Sequence, residues 1–309
     1  MGIKAPGSLH TFNKIRLLEM LEGILINGLV RGGVYALLAI GFSLIFGVAR
    51  MINLAFTSFY MLGAYGLYFF ATRLGMHPVF AMLISLVLTT IIGLATYKAV
   101  IDRVREHHVT VMLITMAVAI IFQESMLMLF KGTYRAAPTF LTGYATLLGV
   151  KVSYQNLLIL GVVLVVLVAV WALLSKTRLG IAIRAVAQDS EIANLMGINV
   201  SRILTITMAI ASTLAAIAGV IVAPTLVLEP YMWTHPLVMI MAIVVLGGLG
   251  SVKGSLIGAF IIGFTETAVV FLLPTGSFLK GAIALIVMVI ILLFRPEGLF
   301  GVVFEEERL

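Results

Sequence analysis

The amino-acid sequence predicts an all-α protein that crosses a membrane many times, and two observations support this fold class. Of the 309 residues, 62% are hydrophobic and only 11% are charged, with a mean hydropathy of +1.19, whereas ordinary soluble domains carry about 25% charged residues. The apolar residues form continuous runs and do not alternate, which favours helices over the strands of a membrane barrel. We expect a bundle of about 8–10 transmembrane helices with some broken or re-entrant segments.

Nine apolar runs define the predicted spans, since a helix needs about 20 apolar residues to cross a bilayer. Arg31-Gly32-Gly33 interrupts the first run, and the short seventh run ends in Gly247-Gly248-Leu249-Gly250. We expect both to form discontinuous or re-entrant helices, which are tolerated where protein or water surrounds the irregular backbone. The nine runs cover residues 17–47, 54–72, 78–97, 109–130, 154–175, 200–223, 236–250, 255–273 and 278–294.

The chain divides into a polar N-terminal segment (1–16), a transmembrane domain (17–294) and a C-terminal tail (295–309), which we place in the cytoplasm. Within the transmembrane domain, residues 176–199 form a polar break. Apolar side chains recur there at helical spacing, and polar ones fall on a different face. This pattern predicts a short amphipathic helix outside the hydrocarbon, with one face towards a partner, although a solvated linker remains the alternative. The apolar positions are Leu179, Ile183, Val186 and Ala187, and the polar ones are Arg184, Gln188 and Glu191.

Basic residues indicate the orientation in the membrane. With residues 176–199 in the cytoplasm, the loops on that side hold 11 basic residues and the opposite loops hold five, in agreement with the positive-inside rule. Nine spans then place residues 1–16 outside, although Lys4, Lys14 and Arg16 lie there. Either the rule fails at this end or residues 17–47 make two passes.

Several function classes are excluded by what the sequence lacks. There are no cysteines and the five histidines show no ligand spacing, so we expect no metal site. In residues 247–255, Lys253 precedes Gly254, which is the wrong order for a phosphate-binding loop; close helix packing through small residues is the better account. No catalytic fingerprint is present. We expect no enzyme, and a pump built from this chain needs a partner ATPase or a coupled ion.

Polar residues inside the spans are the candidates for a translocation path. A buried Glu124 or Glu266 could line a pathway or couple an ion, or could be a hydrogen-bonded structural carboxyl. Asn53 lies where one span ends and the next begins, so its amide could cap freed backbone groups or meet substrate. The candidate path comprises Asn53, Gln123, Glu124, Gly247, Gly248 and Glu266.

Three stretches, in order and spacing, resemble the LivH-type permeases of branched-chain amino acid ABC importers. They are residues 28–65, with Gly28-Leu-Val-Arg-Gly-Gly33; residues 176–219; and residues 245–301, ending in Phe294-Arg-Pro-Glu-Gly-Leu-Phe-Gly301. The resemblance covers nearly the whole chain from residue 20. Gln123 and Glu266 match positions where similar permeases carry those residue types. Asn53-Leu-Ala-Phe56-Thr57 departs from the Asn-Phe-Ala-His-Gly of many relatives, which leaves urea, short-chain amides and other amino acids open as substrates.

The resemblance implies a subunit without catalytic activity, in the inner or plasma membrane of a prokaryote. A second related permease, two ABC ATPases and an extracytoplasmic substrate-binding protein would complete the importer, with no nucleic acid involved. This chain would bind no cofactor, and ATP and Mg²⁺ would sit on the ATPases. An ion-coupled secondary transporter using Glu124 or Glu266 is the alternative. The expected ATPase contacts in the cytoplasmic coupling loop 176–199 are Arg178, Gly180, Arg184, Ala185, Asp189, Ala193, Gly197 and Ile198.

Overall fold

A computed structural model describes residues 7–105, 107–147 and 150–300. Eleven α-helices make up most of the described chain, with two short β-strands in the longest connection. The helices are α1 (Gly7–Ala49), α2 (Phe56–Tyr68), α3 (Pro78–Thr96), α4 (His108–Phe130), α5 (Tyr154–Lys176), α6 (Arg178–Gln188), α7 (Ser190–Leu195), α8 (Val200–Val222), α9 (Thr234–Gly247), α10 (Val252–Leu272) and α11 (Gly276–Phe294).

Each of the nine apolar runs forms a helix, which confirms the all-α polytopic fold class. In the described part of the chain, seven helices are long and apolar enough to cross a membrane, and α9 is a shorter apolar helix. Helix α2 has only 13 residues, but a π-helical turn at Phe69–Arg73 extends it. A similar turn at Tyr97–Ile101 extends α3. The short α9 agrees with the prediction of an incomplete seventh span.

The prediction that Arg31-Gly32-Gly33 breaks the first span is wrong, because α1 runs without interruption from Gly7 to Ala49. These glycines serve packing instead. Gly32 faces Phe260 of α10 and Gly33 faces Val163 of α5, and in both cases a Cβ atom would meet the neighbouring side chain within 3 Å. Arg31 is accommodated because it finds a carboxylate partner. One continuous helix also excludes the two-pass alternative for residues 17–47.

The core lies where α1, α2, α8 and α10 pack together. Small residues let these helices approach closely, as is usual in membranes: a Cβ on Gly63 would lie 2.9 Å from the Ala216 carbonyl oxygen, and Gly263 faces the backbone of Gly32. The outer helices α3, α4, α5 and α11 carry many exposed apolar side chains. Their surfaces suit lipid or another apolar helix.

The connection between α9 and α10 is a tight glycine turn. Gly247 and Gly254 face one another backbone to backbone, which leaves no room for a side chain at either position. Gly248 and Gly250 adopt φ values of 99° and 81°, which L-residues rarely adopt. Ser251 caps α10 by accepting a hydrogen bond from the Gly254 amide at 3.1 Å. The close-packing interpretation of residues 247–255 is therefore confirmed.

The start of the C-terminal tail closes the end of α9. The amides of Leu299 and Phe300 donate to the carbonyls of Leu246 and Gly247 at 2.8 and 3.0 Å. These bonds satisfy carbonyl groups that a helix end otherwise leaves unpaired. Residues 301–309 of the predicted tail lie outside the described residues.

The loop between α4 and α5 contains strands that the sequence did not predict. Strands β1 (Tyr144–Leu147) and β2 (Val150–Ser153) form an antiparallel hairpin. In the same loop, Arg135 pairs with Leu228, with N–O distances of 3.1 and 2.8 Å. The loop is thus tied to the segment between α8 and α9.

Candidate functional site

The carboxyl group of Glu266 lies at a contact of three helices and is fully buried. Its Oε2 atom accepts a hydrogen bond from the Tyr35 hydroxyl at 2.8 Å and one from Arg31 Nη1 at 3.2 Å. On the other side, His235 Nε2 lies 3.5 Å from Oε1. A buried carboxylate needs such partners, since an uncompensated charge in a low-dielectric interior is very costly.

The helices place these groups by simple spacing. Arg31 and Tyr35 are four residues apart on α1, so their side chains project from the same face. His235 belongs to the first turn of α9, and Glu266 lies in the second half of α10. The charged cluster of Arg31, Tyr35, His235 and Glu266 therefore joins α1, α9 and α10.

Next to the charged cluster lies a cavity of about 570 Å³, within the range of small-molecule binding sites. Its walls are formed by α1 and α5, Tyr60 of α2, the end of α8, the 226–236 segment and the start of α11. The lining mixes apolar side chains with polar and charged ones. The polar lining consists of Asn27, Arg31, Tyr35, Tyr60, Asn156, Thr225, Glu229, Tyr231, Thr234, His235 and Lys280.

Gln123 and Glu124 lie elsewhere. The Gln123 side chain is nearly buried; its Oε1 accepts a hydrogen bond from Trp233 Nε1 at 3.0 Å, and its Nε2 donates to Glu124 Oε1 at 3.1 Å. Glu124 is exposed on the outer face of α4. Gln123 thus ties α4 to the buried Trp233 just before α9, and neither Gln123 nor Glu124 lines the cavity.

Asn53 makes a local structural contact. Its buried side chain accepts a hydrogen bond from the Ala55 amide at 3.0 Å, and its carbonyl accepts one from Phe56 at 3.3 Å. These bonds shape the turn into α2, as the capping alternative required. Gly247 and Gly248 form the α9–α10 turn. Of the six predicted path residues, Glu266 is the one that accepts hydrogen bonds from side chains lining the cavity in the described part of the chain.

Most of the residues that line the cavity could not be predicted from the sequence. Arg31 stood out as a charge within an apolar run, and Glu266 did too, but nothing local linked two residues 235 positions apart. His235, Glu229 and Lys280 lie at the ends of runs, where charged and polar residues are common at a membrane boundary. Only the fold brings them to one cavity.

The coupling segment (residues 176–199) contains two helices and not the single helix predicted. Asp189 separates them: it ends α6, and its carboxylate caps α7 by accepting hydrogen bonds from Glu191 and Ile192 at 2.8 and 2.9 Å. Thr177 caps the start of α6 and Asn199 caps the start of α8. Each of these residues offers a side-chain oxygen to free amides, which is a strong helix-start signal.

The predicted two-faced character of the coupling segment is confirmed. Ile183 and Val186 are buried, and Leu179 and Ala187 are partly buried. The polar positions Arg184, Gln188 and Glu191 are exposed.

In addition, residues in α7 and directly after it expose apolar side chains on the surface of the molecule. Leu195 is 85% exposed and Met196 is 79% exposed, with Ile192 beside them. Single exposed apolar residues are common, but a cluster outside the spans indicates a contact surface.

The residues expected to meet an ATPase differ in their exposure. Gly180 is buried against the Leu173 and Leu174 carbonyls of α5, and Ala193 is also buried. Arg184 is exposed and donates a hydrogen bond to the Leu174 carbonyl. The remaining expected contacts are exposed or partly exposed: Arg178, Ala185, Asp189, Gly197 and Ile198.

No group of three or more His, Asp or Glu side chains suited to a metal ion occurs among the described residues.

Residues 24–293 match a known protein family. The family is described as the permease component of branched-chain amino acid transport systems. The chain belongs to this family. The seven helices of the described ranges that are able to span a bilayer fit a multi-pass membrane protein.

Two permeases of branched-chain amino acid transport systems match this chain over nearly their full length, and a ribose permease matches part of it. The high-affinity branched-chain amino acid transport system permease protein BraD of Pseudomonas aeruginosa is 31% identical, covering 90% of this chain and 94% of that protein. The corresponding LivH protein of Escherichia coli is 28% identical, covering 89% and 94%. The ribose import permease protein RbsC of Haemophilus influenzae is 35% identical, but over only 41% of this chain.

Proposed function

We propose that this chain is the membrane-spanning permease subunit of an ATP-driven ABC importer, which moves branched-chain or other small amino acids into the cytoplasm. The observation that carries the proposal is the full-length match to permeases of branched-chain amino acid transport systems. The coupling segment supports it, because two capped helices between spans expose apolar side chains, as a surface for docking an ATPase requires.

The proposed assembly has four further subunits. A second permease would pack against the exposed apolar helices, two ABC ATPases would dock on the coupling segments of the two permeases, and an extracytoplasmic binding protein would deliver substrate. ATP and Mg²⁺ would bind the ATPases, so this chain performs no catalysis. The host membrane would be the inner or plasma membrane of a prokaryote.

The packing suggests how movement of the ATPases would reach the cavity. Helix α6 lies against α5 through Gly180, and Arg50, just after α1, donates a hydrogen bond to the Gln188 carbonyl at 3.3 Å. Helices α1 and α5 both continue to the cavity, where they contribute Arg31 and Asn156. A displacement of the coupling segment would therefore shift two cavity walls together, as alternating access requires.

Ion-coupled secondary transport receives little support. Glu266 forms an ion pair with Arg31, and Glu124 lies exposed on α4. A coupling carboxylate must take up and release its ion during the cycle, and a secondary carrier needs no coupling segment.

Co-purification from the native membrane tests the proposed function. An affinity-tagged chain, extracted in mild detergent, should recover a second permease and ATPase subunits when its partners are identified by mass spectrometry. The complete complex in liposomes should accumulate L-leucine only with ATP and binding protein. Recovery of the chain alone, together with uptake driven by an ion gradient, would overturn the importer.

A further inference from the structure

The cavity beside the charged cluster is lined by two charged side chains that form no ion pair in the described part of the chain. Arg31 and Glu266 compensate one another across 3.2 Å. Lys280 and Glu229 also line the cavity, yet among the described residues neither makes an ion pair. Both are partly buried. Water therefore screens them less than it would at a free surface.

These two charges come from different elements at one end of the bundle. Lys280 lies near the start of α11, and Glu229 lies in the segment between α8 and α9. The Arg135–Leu228 bridge holds this segment against the loop that contains the β-hairpin. The orientation predicted from the basic residues places this end outside the cell, so the cavity opens where a delivered solute arrives.

The remaining lining matches an aliphatic group. Val30 and Val34 of α1, Ile159 of α5 and Met232 form apolar wall, and burial of a methylene group against such surface is favourable. A ligand with a positive group, a negative group and an aliphatic chain would complement Glu229, Lys280 and the apolar wall. An uncharged sugar, urea or amide would leave Lys280 and Glu229 uncompensated, which disfavours its binding.

We propose that this cavity is a binding site for a zwitterionic α-amino acid within the permease itself. Lys280 receives the α-carboxylate, Glu229 receives the α-ammonium group, and the apolar wall receives the side chain. The charged cluster holds α1, α9 and α10 in place around the ligand. The inference rests on the proposed function, since it names the contacts that select the transported solute.

Competition binding without the binding protein tests this site. The purified complex of this chain with its partner permease and ATPases is equilibrated with radiolabelled L-leucine. Leucinamide, which lacks the carboxylate, and 4-methylpentanoic acid, which lacks the ammonium group, then compete. The wild type should prefer L-leucine over either competitor by roughly tenfold or more, because each lacks one charge-assisted contact.

Substitution of Lys280 and substitution of Glu229 should each remove a different one of these two preferences. Lys280→Gln should abolish the preference over leucinamide and keep that over 4-methylpentanoic acid, whereas Glu229→Gln should do the reverse. A general structural defect would weaken all three ligands alike and would contradict the assignment. The matched controls Lys131→Gln and Glu297→Gln alter exposed residues away from the cavity and should keep both preferences.

Two results would overturn the inference while the proposed function stands. One is retention of both preferences in Lys280→Gln and Glu229→Gln. The other is the absence of L-leucine binding to a wild-type complex that nevertheless imports L-leucine with ATP and binding protein. Failure of the proposed function has a different signature, since the chain would then purify without ATPase subunits.

Discussion

Glu266 shows how one residue can fix the packing of three helices. It is the fully buried member of the pair, whereas 38% of the Arg31 side chain is exposed. A buried ion pair contributes modestly when intact, but removal of one partner leaves a charge without compensation. Removal of the Glu266 carboxylate should therefore destabilise the fold whether or not Glu266 takes part in transport.

The first prediction concerns this ion pair. Glu266→Ala should lower the thermal unfolding midpoint of the purified complex by roughly 5 °C or more, because Arg31 then loses its carboxylate partner. The double variant Arg31→Met with Glu266→Leu should unfold much closer to the wild-type midpoint, since apolar side chains of similar volume replace both charges. A double variant as unstable as Glu266→Ala would contradict this role. Glu124→Ala, on the exposed face of α4, is the control and should change the midpoint little.

At the residue scale, the sequence could identify the charges but not their neighbours. A carboxylate within an apolar run is costly, so Glu266 was recognisable without a structure. Glu124 carried the same signal but lies on an exposed face, because helical position decides burial. Asn53 matched the local capping chemistry of its turn, which depends only on adjacent residues.

Glycines decide how closely the central helices approach. Gly263 of α10 contacts the backbone of Gly32 of α1, where a Cβ atom would lie 2.5 Å from the Gly32 Cα. Backbone cannot move aside as a flexible side chain can. This contact belongs to the core of the bundle. A larger side chain at either position would force α1 and α10 apart.

The second prediction compares two helix-interior glycines. Gly263→Val should lower the unfolding midpoint of the purified complex and reduce its yield, because the new methyl groups overlap the α1 backbone. Gly161→Ala, at a position of α5 with no atoms within 4 Å of the added Cβ, should keep or raise the midpoint, since alanine favours the helix. Equal effects of the two substitutions would show that the α1–α10 contact is not tight.

The third prediction concerns the coupling segment. Leu195→Glu should reduce the amount of ATPase that co-purifies with the chain by about tenfold or more, because it places a charge within an apolar contact surface. Leu249→Glu changes another exposed leucine, in the α9–α10 turn, and should not reduce it. Full recovery of ATPase with Leu195→Glu would exclude α7 as the docking surface. Quantitative immunoblots of the purified complexes provide the measurement.

The sequence predicted elements better where a pattern was local. Helical periodicity correctly predicted the apolar and polar faces of the coupling segment. The length of the seventh apolar run correctly predicted that α9 is short. The predicted break in α1 was wrong because glycine signals both a bend and a close contact, and only the neighbours Phe260 and Val163 distinguish them. The β-hairpin was missed because its strands have four residues each, too few for a clear alternation.

At the scale of the whole molecule, the helix count determines which side of the membrane each end of the bundle faces. Five apolar helices, α1 to α5, precede the coupling segment. An odd number of crossings places the start of α1 opposite to that segment. The basic residues near the start of the chain oppose this arrangement, and the 13-residue α2 is the helix on which the count depends. With its π-helical turn, α2 reaches 18 residues, about 27 Å of helix, close to the thickness of the hydrocarbon core.

The last prediction tests this topology by cysteine labelling, for which a chain without native cysteines is well suited. In intact cells, a membrane-impermeant maleimide should label Lys151→Cys in the hairpin and Ser8→Cys at the start of α1. Ser190→Cys in the coupling segment should react only after permeabilisation. The unsubstituted chain gives the background. Labelling of Ser8→Cys only after permeabilisation would mean an even number of crossings, in which α2 enters the membrane and returns on the same side. The cytoplasmic charge bias would then extend to Lys4, Lys14 and Arg16, and the positive-inside rule would hold along the whole chain.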